Sequence, residues 1–403
     1  MKIETQRTID RMAGTWICRV LSLLPVKDPP KPFRPSRILV ILLSEMGSLV
    51  LARPMFQSLQ HKYPSCSVYA LCFEKNREFL EILEVVPAPN ILTVRADSLP
   101  LLLVDTLRTF RRIRREKIDT ALDCEMFSRI SSIYSFLSGA QVRVGFHPYT
   151  QEGLYRGTYI NRPVLYNPHH HVSHQFINLV EAIESESTPN VKRPIPHHEW
   201  AIPRIRIEED KRKEFLKRFQ RDYSQVIPGK LVLIYPSGGL LPIRAWPLRN
   251  YCRVAEDLLK RGYAVAIIGM KSDRELAKEI QFHCRSENCI DLTGYTGSVL
   301  ELMVLLDFAS LLISNDGGPG HFACMTESPS IILYGPESPA LYGTLDRRSI
   351  KLHVPLSCSP CLTAYNHRHS PCDGDNRCLK AITPETVLDH AYRLLKEQEK
   401  SAS

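Results

Sequence analysis

The 403-residue chain lacks any apolar run long enough to span a bilayer. The longest candidate near its start, Gly14 to Pro25, is short, is broken by Arg19 and has no small-residue cleavage site behind it. A membrane-spanning anchor and a secretory signal are therefore not expected, and a cytoplasmic protein is. A disulfide framework is lacking as well. Eight of the twelve Cys (Cys18, Cys66, Cys72, Cys124, Cys252, Cys284, Cys289 and Cys324) are scattered, mostly within apolar elements, as reduced buried thiols are. Recognised nucleic-acid motifs are missing too. The basic run Arg108, Arg111, Arg112, Arg114, Arg115 and Lys117 has no interleaved aromatics, so it reads as a solvated helix face, with a membrane-facing one as the alternative, and no nucleic-acid partner is expected.

What is present is the composition of a soluble globular protein, 44% hydrophobic and 24% charged, at a length suited to two domains. The net charge of +9 is unevenly placed: residues 1–37 carry eight Lys or Arg against three Asp or Glu. Within the leader, residues 1–36, Ile9, Met12, Trp16, Val20 and Leu23 recur at helical spacing. Two readings follow: a helix packed on the protein's own surface, or peripheral contact with an anionic membrane face.

From Ile38 apolar strand runs alternate with helical stretches: Ile38 to Leu43, Ser67 to Phe73, Ile91 to Val94, Thr120 to Asp123 and Val142 to Phe146. This beta-alpha-beta rhythm predicts a doubly wound domain over residues 37–205. A second series follows Pro228, with strands at Leu231 to Tyr235, Ala264 to Ile268, Ile290 to Leu292, Leu311 to Ser314 and Ile331 to Leu333, giving a second domain over 228–383. The charged helix in 384–403 comes after both sheets are complete and is expected on the outside, with a crossing back to the first domain as one option. Two such α/β domains facing across a cleft would bind ligands at their strand carboxyl ends.

The most informative stretch is Leu311 to Gly343, where a buried strand meets a short helix through a Gly-rich, His-bearing turn. Gly317, Gly318 and Gly320 allow backbone to approach a ligand, Pro319 suits the first helical position, and Asp316 or Gly317 can cap it. A helix start of this kind favours anions, and the His321 ring could donate to a phosphate oxygen. Pyrophosphate is the ligand suggested; an ordinary tight strand-to-helix turn is the plain alternative.

Two clusters raise the question of metal. His169, His170, His171 and His174 lack acidic or Cys neighbours at ligand spacing, so metal is not expected there. Cys358, Cys361, Cys372 and Cys378 lie between a Pro-rich turn and the last helix. The first pair has the spacing of half a zinc knuckle, and the second is loose for one, leaving structural zinc and free or redox-active thiols both open.

Five ordered blocks carry a family resemblance: ILVILLSEMGSLVLARPMFQSLQHKYP, IDTALDCEMFSRISSIYSFLSGAQVRVGF, YPSGGLLPIRAWPLRNY, DLTGYTGSVLELMVLLDFASLLISNDGGPGH and ILYGPESP. The chain resembles glycosyltransferase family 9, the heptosyltransferase-like enzymes, from about Arg37 to His390. The resemblance implies a GT-B fold of two Rossmann-like domains and inverting transfer of a sugar, plausibly heptose. The donor would be a nucleotide-diphosphate sugar such as an ADP-heptose, held mainly by the second domain. The acceptor would be a lipid-linked or oligosaccharide glycan of the lipopolysaccharide kind, and no metal or other cofactor would be required.

Asp316, Gly317, Gly318 and His321 match the family's donor loop, except that Gly317 replaces its usual Ser or Thr. Ser237 and Gly238 match the small-residue loop after the second domain's first strand. Arg244 replaces the Lys before Trp-Pro and keeps its positive charge, and a guanidinium can grip a diphosphate bidentately. Thr293 and Gly294 match a strand-end turn near the nucleotide, and Asp273 the acidic residue near the ribose. The main departure is Gly47-Ser48 where the family has Gly-Asp, so the expected general base is missing. Inverting transfer needs a base for the acceptor hydroxyl. Ser48 cannot serve unaided, and Glu45 is the nearest carboxylate. A catalytically silent, nucleotide-sugar-binding or scaffold protein of the same fold is the competing expectation.

Overall fold

The computed structural model describes residues 3–26, 32–43, 46–126, 128–147, 155–185, 193–202, 204–363 and 369–402. They form two compact units, residues 1–201 with 363–368, and residues 202–362 with 369–403.

The first unit runs α1 Ile3–Ile9, a π-helical turn Asp10–Gly14, α2 Thr15–Leu21, β1 Arg37–Ile41, α3 Met46–Lys62, β2 Ser67–Phe73, α4 Arg77–Leu83 and β3 Ile91–Val94. It continues α5 Leu99–Arg115, β4 Thr120–Asp123, α6 Arg129–Leu137, β5 Val142–Phe146, β6 Arg162–Val164 and α7 Val172–Glu181. The strands form one parallel sheet in the order β3-β2-β1-β4-β5-β6, with Ile38 opposite Val68 on one side and Thr120 on the other. Strands covered on both faces need unbroken apolar runs, and β1 has one in Ile38 to Ile41, all buried. The chain reverses its direction across the sheet between β3 and β4. Right-handed crossovers therefore place α3 and α4 on one face and α5 and α6 on the other. Leu39, Ile41 and Leu43 meet Phe110, Ile113 and Tyr134 on that second face.

The second unit begins with α8 Glu209–Asp222, then β7 Leu231–Tyr235, α9 Leu248–Lys260, β8 Ala264–Gly269, α10 Arg274–Cys284, β9 Cys289–Thr293 and α11 Val299–Phe308. It ends with β10 Leu311–Asn315, α12 Gly318–Ala323, β11 Ser330–Tyr334, α13 Pro339–Tyr342, β12 Ser349–His353, α14 Arg377–Lys380 and α15 Pro384–Ala402. The parallel order β12-β11-β10-β7-β8-β9 repeats the first sheet's connectivity. Its switch point lies between β7 and β10, where a doubly wound sheet opens a crevice at the strand carboxyl ends.

Several of the described elements lie outside the expected series, among them β6, β12, α7 and α8. β6 and β12 are edge strands whose residues are mostly only partly buried, so neither has a clear apolar run. Helix α8 is charged nearly throughout and buries only Phe215 and Phe219, one turn apart and stacked at 6.3 Å. Helix α7 follows the His-rich stretch, for which no element is expected from sequence. The terminal helix packs as an outer layer on the second sheet. In α15, Val387, Ala391, Leu394 and Leu395 join Val232, Leu311 and Ile331 in one core, so this helix is a layer of the second unit.

The leader forms a helix docked on its own unit. Gly14 lies against the Arg129 side chain, and Cys18 packs with Tyr159, Ile160, Ile133 and Phe136. Asp10 Oδ1 accepts hydrogen bonds from the backbone N–H groups of Arg129 at 2.8 Å and Ile130 at 2.9 Å. It thereby caps α6, whose own Ser128 makes no side-chain cap.

Candidate donor site of the second unit

The donor-loop residues expected from sequence converge at the carboxyl ends of β7, β8, β10 and β11. Asn315, fully buried at the end of β10, ties the loops together. Its Nδ2 donates to the carbonyls of Pro236 at 2.8 Å and Ser237 at 3.2 Å. Its Oδ1 accepts from Trp246 N at 3.0 Å and Tyr251 Oη at 2.9 Å. One amide thus fixes both the Ser237-Gly238 loop and the turn carrying Arg244. Gly238 has a steric reason to be glycine: a Cβ would lie 2.7 Å from Leu241 O and 2.8 Å from Pro242 Cα.

Arg244 stands between two carboxylates. Its Nη2 donates to Glu337 Oε2 at 2.5 Å, and its Nε lies 3.5 Å from Asp316 Oδ2. All three groups are largely buried, with side-chain exposures of 12% for Arg244, 5% for Asp316 and 2% for Glu337. The trio sums to one negative charge at a place expected to receive a diphosphate. Any anion that approached Arg244 would have to compete with Glu337 for the guanidinium.

Helix α12 starts at Gly318 with Gly317 as its N-cap residue, one of the two expected candidates. His321 is buried in this helix. Gly317 has extended backbone (φ 171°), and a Cβ there would meet Tyr235 Cε1 at an ordinary 3.6 Å. A Ser or Thr would fit, so packing does not dictate the missing hydroxyl.

Other expected donor residues make local contacts. Asp273 Oδ1 accepts from Ser237 Oγ at 2.9 Å and its Oδ2 from Met270 N at 2.8 Å, which ties the β8 loop to the β7 loop. Thr293 N and Oγ1 donate to Asp291 Oδ1 at 2.8 and 2.6 Å. Gly294 has φ +70°, and a Cβ there would meet Lys271 Cγ at 2.3 Å. Asn315 and Glu337 are the residues sequence reasoning missed. Both lie inside recognised blocks, SNDGGPGH and YGPESP, but nothing local marks either as a partner of Arg244 or Trp246.

The structural zinc reading is not supported. Among the described residues no three His, Cys, Asp or Glu side chains are grouped to hold a metal. Cys361 Sγ lies 3.0 Å from Ser370 Oγ, Cys372 Sγ is 3.7 Å from Asp373, Cys378 is buried and Cys358 is exposed.

In the first unit, Ser48 lies in the first turn of α3, after the carboxyl end of β1. Glu45 lies outside the described residues. A buried carboxylate, Glu125, follows β4 on the adjacent strand, and its Oε1 accepts from Leu43 N at 2.7 Å. Asn76 Nδ2 donates to Leu43 O at 2.8 Å, so the approach to the Gly47-Ser48 turn is held from both sides.

Two Rossmann-like sheets, each parallel and wound in the same order, define a two-domain GT-B protein of α/β class. The chain belongs to glycosyltransferase family 9 (heptosyltransferase), whose model matches residues 106–370. It is 22% identical to lipopolysaccharide heptosyltransferase 2 of Escherichia coli K12 over 387 residues, which cover 90% of this chain and 99% of that protein. It is 28% identical to lipopolysaccharide heptosyltransferase 2 of Salmonella typhimurium over 182 residues, 44% of this chain and half of that protein. The solved structure of the E. coli ADP-heptose lipopolysaccharide heptosyltransferase II superposes with a TM-score of 0.69 at 19% identity, covering 90% of this chain and 99% of that one. That likeness establishes the fold. No described helix is long and apolar enough to cross a membrane.

Proposed function

We propose that the protein is an inverting, metal-independent glycosyltransferase that moves a heptose from an ADP-heptose-like donor to a lipopolysaccharide or related cell-surface glycan. The observation that carries the reading is the convergence of Ser237, Arg244, Asp316 and His321 at the switch point of the second sheet. Family membership and the likeness to the E. coli heptosyltransferase support this choice of sugar and acceptor class. Arg244 serves the leaving diphosphate: as the glycosidic bond to the donor breaks, its guanidinium exchanges Glu337 for phosphate oxygens and offsets the developing charge. His321 and the first N–H groups of α12 add donors from the other side of the loop. A carboxylate of the first unit takes the acceptor hydroxyl proton, and Glu45 is the residue we assign, with Ser48 three positions further along the chain as its helper.

The test is donor hydrolysis and transfer by wild type, Glu45→Gln and Glu125→Gln, across a panel of nucleotide sugars with membrane lipid extract as acceptor. ADP-sugar binding is followed in parallel. Turnover lost in Glu45→Gln with donor binding retained supports the base assignment. The same loss only in Glu125→Gln moves the role to that residue. Gly317 and Ser48, which lack the family's side chains, favour a second reading as a catalytically silent nucleotide-sugar-binding protein. Donor binding without turnover in any variant or acceptor condition establishes it.

A further inference from the structure

Helix α2 divides its residues in the reverse of the usual sense. A surface helix ordinarily buries its large apolar side chains. The leader, from the π-helical turn through α2 to the residues just after it, docks through Gly14 and Cys18 and turns Met12, Trp16, Val20 and Leu23 outward, exposed by 64, 68, 58 and 84%. The docked side is specific. Besides the Asp10 cap on α6, Ser22 Oγ accepts from Tyr155 Oη at 2.8 Å and Thr158 N at 3.0 Å.

A second apolar row lies on α5. Leu99, Leu103 and Leu107 repeat every four residues and are exposed by 44, 57 and 60%, with Val104 beside them at 51%. Both helices pack against α6, which places them on one face of the first sheet. Asp10 and Cys18 hold the leader there, while Thr106 Oγ1 lies 2.7 Å from Tyr134 Oη and Phe110 packs on the Tyr134 ring at 5.0 Å. Gln6 Nε2 reaches Ala96 O at 3.5 Å, just before α5 begins. Charge of one sign accompanies the apolar rows. Arg11 and Arg19 flank those of the leader, with the Arg19 guanidinium 5.8 Å from the Trp16 ring centre, and Arg108, Arg111 and Arg115 continue the outward side of α5.

We propose that α2 and the outward side of α5 form a docking surface for an anionic lipid bilayer. The exposed apolar side chains enter the headgroup boundary, Trp16 lies at its level, and the arginines meet lipid phosphates. Arginines flanking an apolar stripe complement a surface that is negative outside and apolar beneath, which favours a bilayer over a second copy carrying the same positive charge.

The experiment is co-sedimentation of the full chain, without nucleotide sugar, with vesicles of phosphatidylcholine alone or with about 30% phosphatidylglycerol. Because no sugar transfer is read, the outcome is independent of the proposed activity. Wild type is expected to bind the anionic vesicles, less so at high salt, and the neutral ones weakly. Trp16→Ser with Leu23→Ser, and separately Leu103→Ser with Leu107→Ser, are each expected to lower partitioning about tenfold at unchanged melting temperature, since all four side chains are exposed. Absence of binding to anionic vesicles at low salt overturns the proposal. So does equal binding by wild type and both double variants. If the substitutions instead convert a lipid-free dimer to monomer with vesicle binding unaltered, the surface joins two copies and the proposal fails.

Discussion

Arg244 and Glu337 illustrate how a site residue is chosen by its partner. A buried carboxylate 2.5 Å from the guanidinium fixes Arg244 in position, yet it also opposes the diphosphate this cation is assigned to receive. Glu337→Gln keeps the shape and one acceptor while removing the charge. Its fold should melt at lower temperature, by a loss of about 1–3 kcal/mol, because the buried pair is broken. Its affinity for ADP should rise several-fold, since Arg244 no longer has to leave a carboxylate. Calorimetric titration with ADP on both proteins decides it, and weaker binding by the variant would mean that Glu337 positions Arg244 instead of competing for it. Arg244, Asp316 and His321 were legible because each stands in a recognised block. Glu337 and Asn315 were not, because their importance depends on partners 64 to 93 residues away in sequence.

At the scale of elements, apolar runs gave the buried strands and helical spacing gave most helices. The edges escaped: β6 contains Pro163 and buries only Val164, and α8 presents two buried Phe among charges. The leader was legible as a helix, whereas its mode of docking was not, since it is held by small and polar residues. Asp10→Ala tests that docking. Removing the cap from α6 should cost about 1 kcal/mol and speed tryptic cleavage at Arg11 and Arg19. Unchanged cleavage would show that the Cys18 packing suffices by itself. The junction of β3 and α5 offers a pH test. Arg95 grips Asp105 through Nε at 2.7 Å and Nη2 at 2.9 Å, and these side-chain hydrogen bonds lower the Asp105 carboxyl to about 2. A depressed carboxyl contributes stability that is complete above its unfolded value near 4 and is lost as the pH falls toward about 2. Asp105→Asn should therefore destabilise the first unit by about 1 kcal/mol at neutral pH, the half-exposed Arg95 limiting the effect. Denaturant melts at pH 7 and pH 3 should show that difference shrinking at the lower pH; a constant difference would assign the loss to packing.

The whole molecule is one doubly wound plan used twice, and that much could be read from the alternation of runs on either side of residues 205–228. The strand order could not be read from the alternation alone, because a parallel strand looks alike wherever it lies in the sheet. Neither could the placement of the last helix, whose apolar face matches any core. With α15 in place the second unit has a core of its own, built on Val232, Leu311, Ile331 and Val387, and it contains Trp246, which is 2% exposed. The first unit has a separate core around Leu39, Ile41 and Phe110. A ligand held only by the loops of the second sheet should therefore stabilise only that unit. ADP at about a hundred times its dissociation constant should add about 2.7 kcal/mol to the transition in which Trp246 becomes exposed. The transition that Asp105→Asn lowers, which belongs to the first unit, should stay where it is. Fluorescence and calorimetric melts on wild type and on that variant, with and without ADP, separate the two. If ADP raises both transitions equally, the donor contacts are not confined to the loops built on Asn315, and if it raises neither, the nucleotide is not adenosine diphosphate.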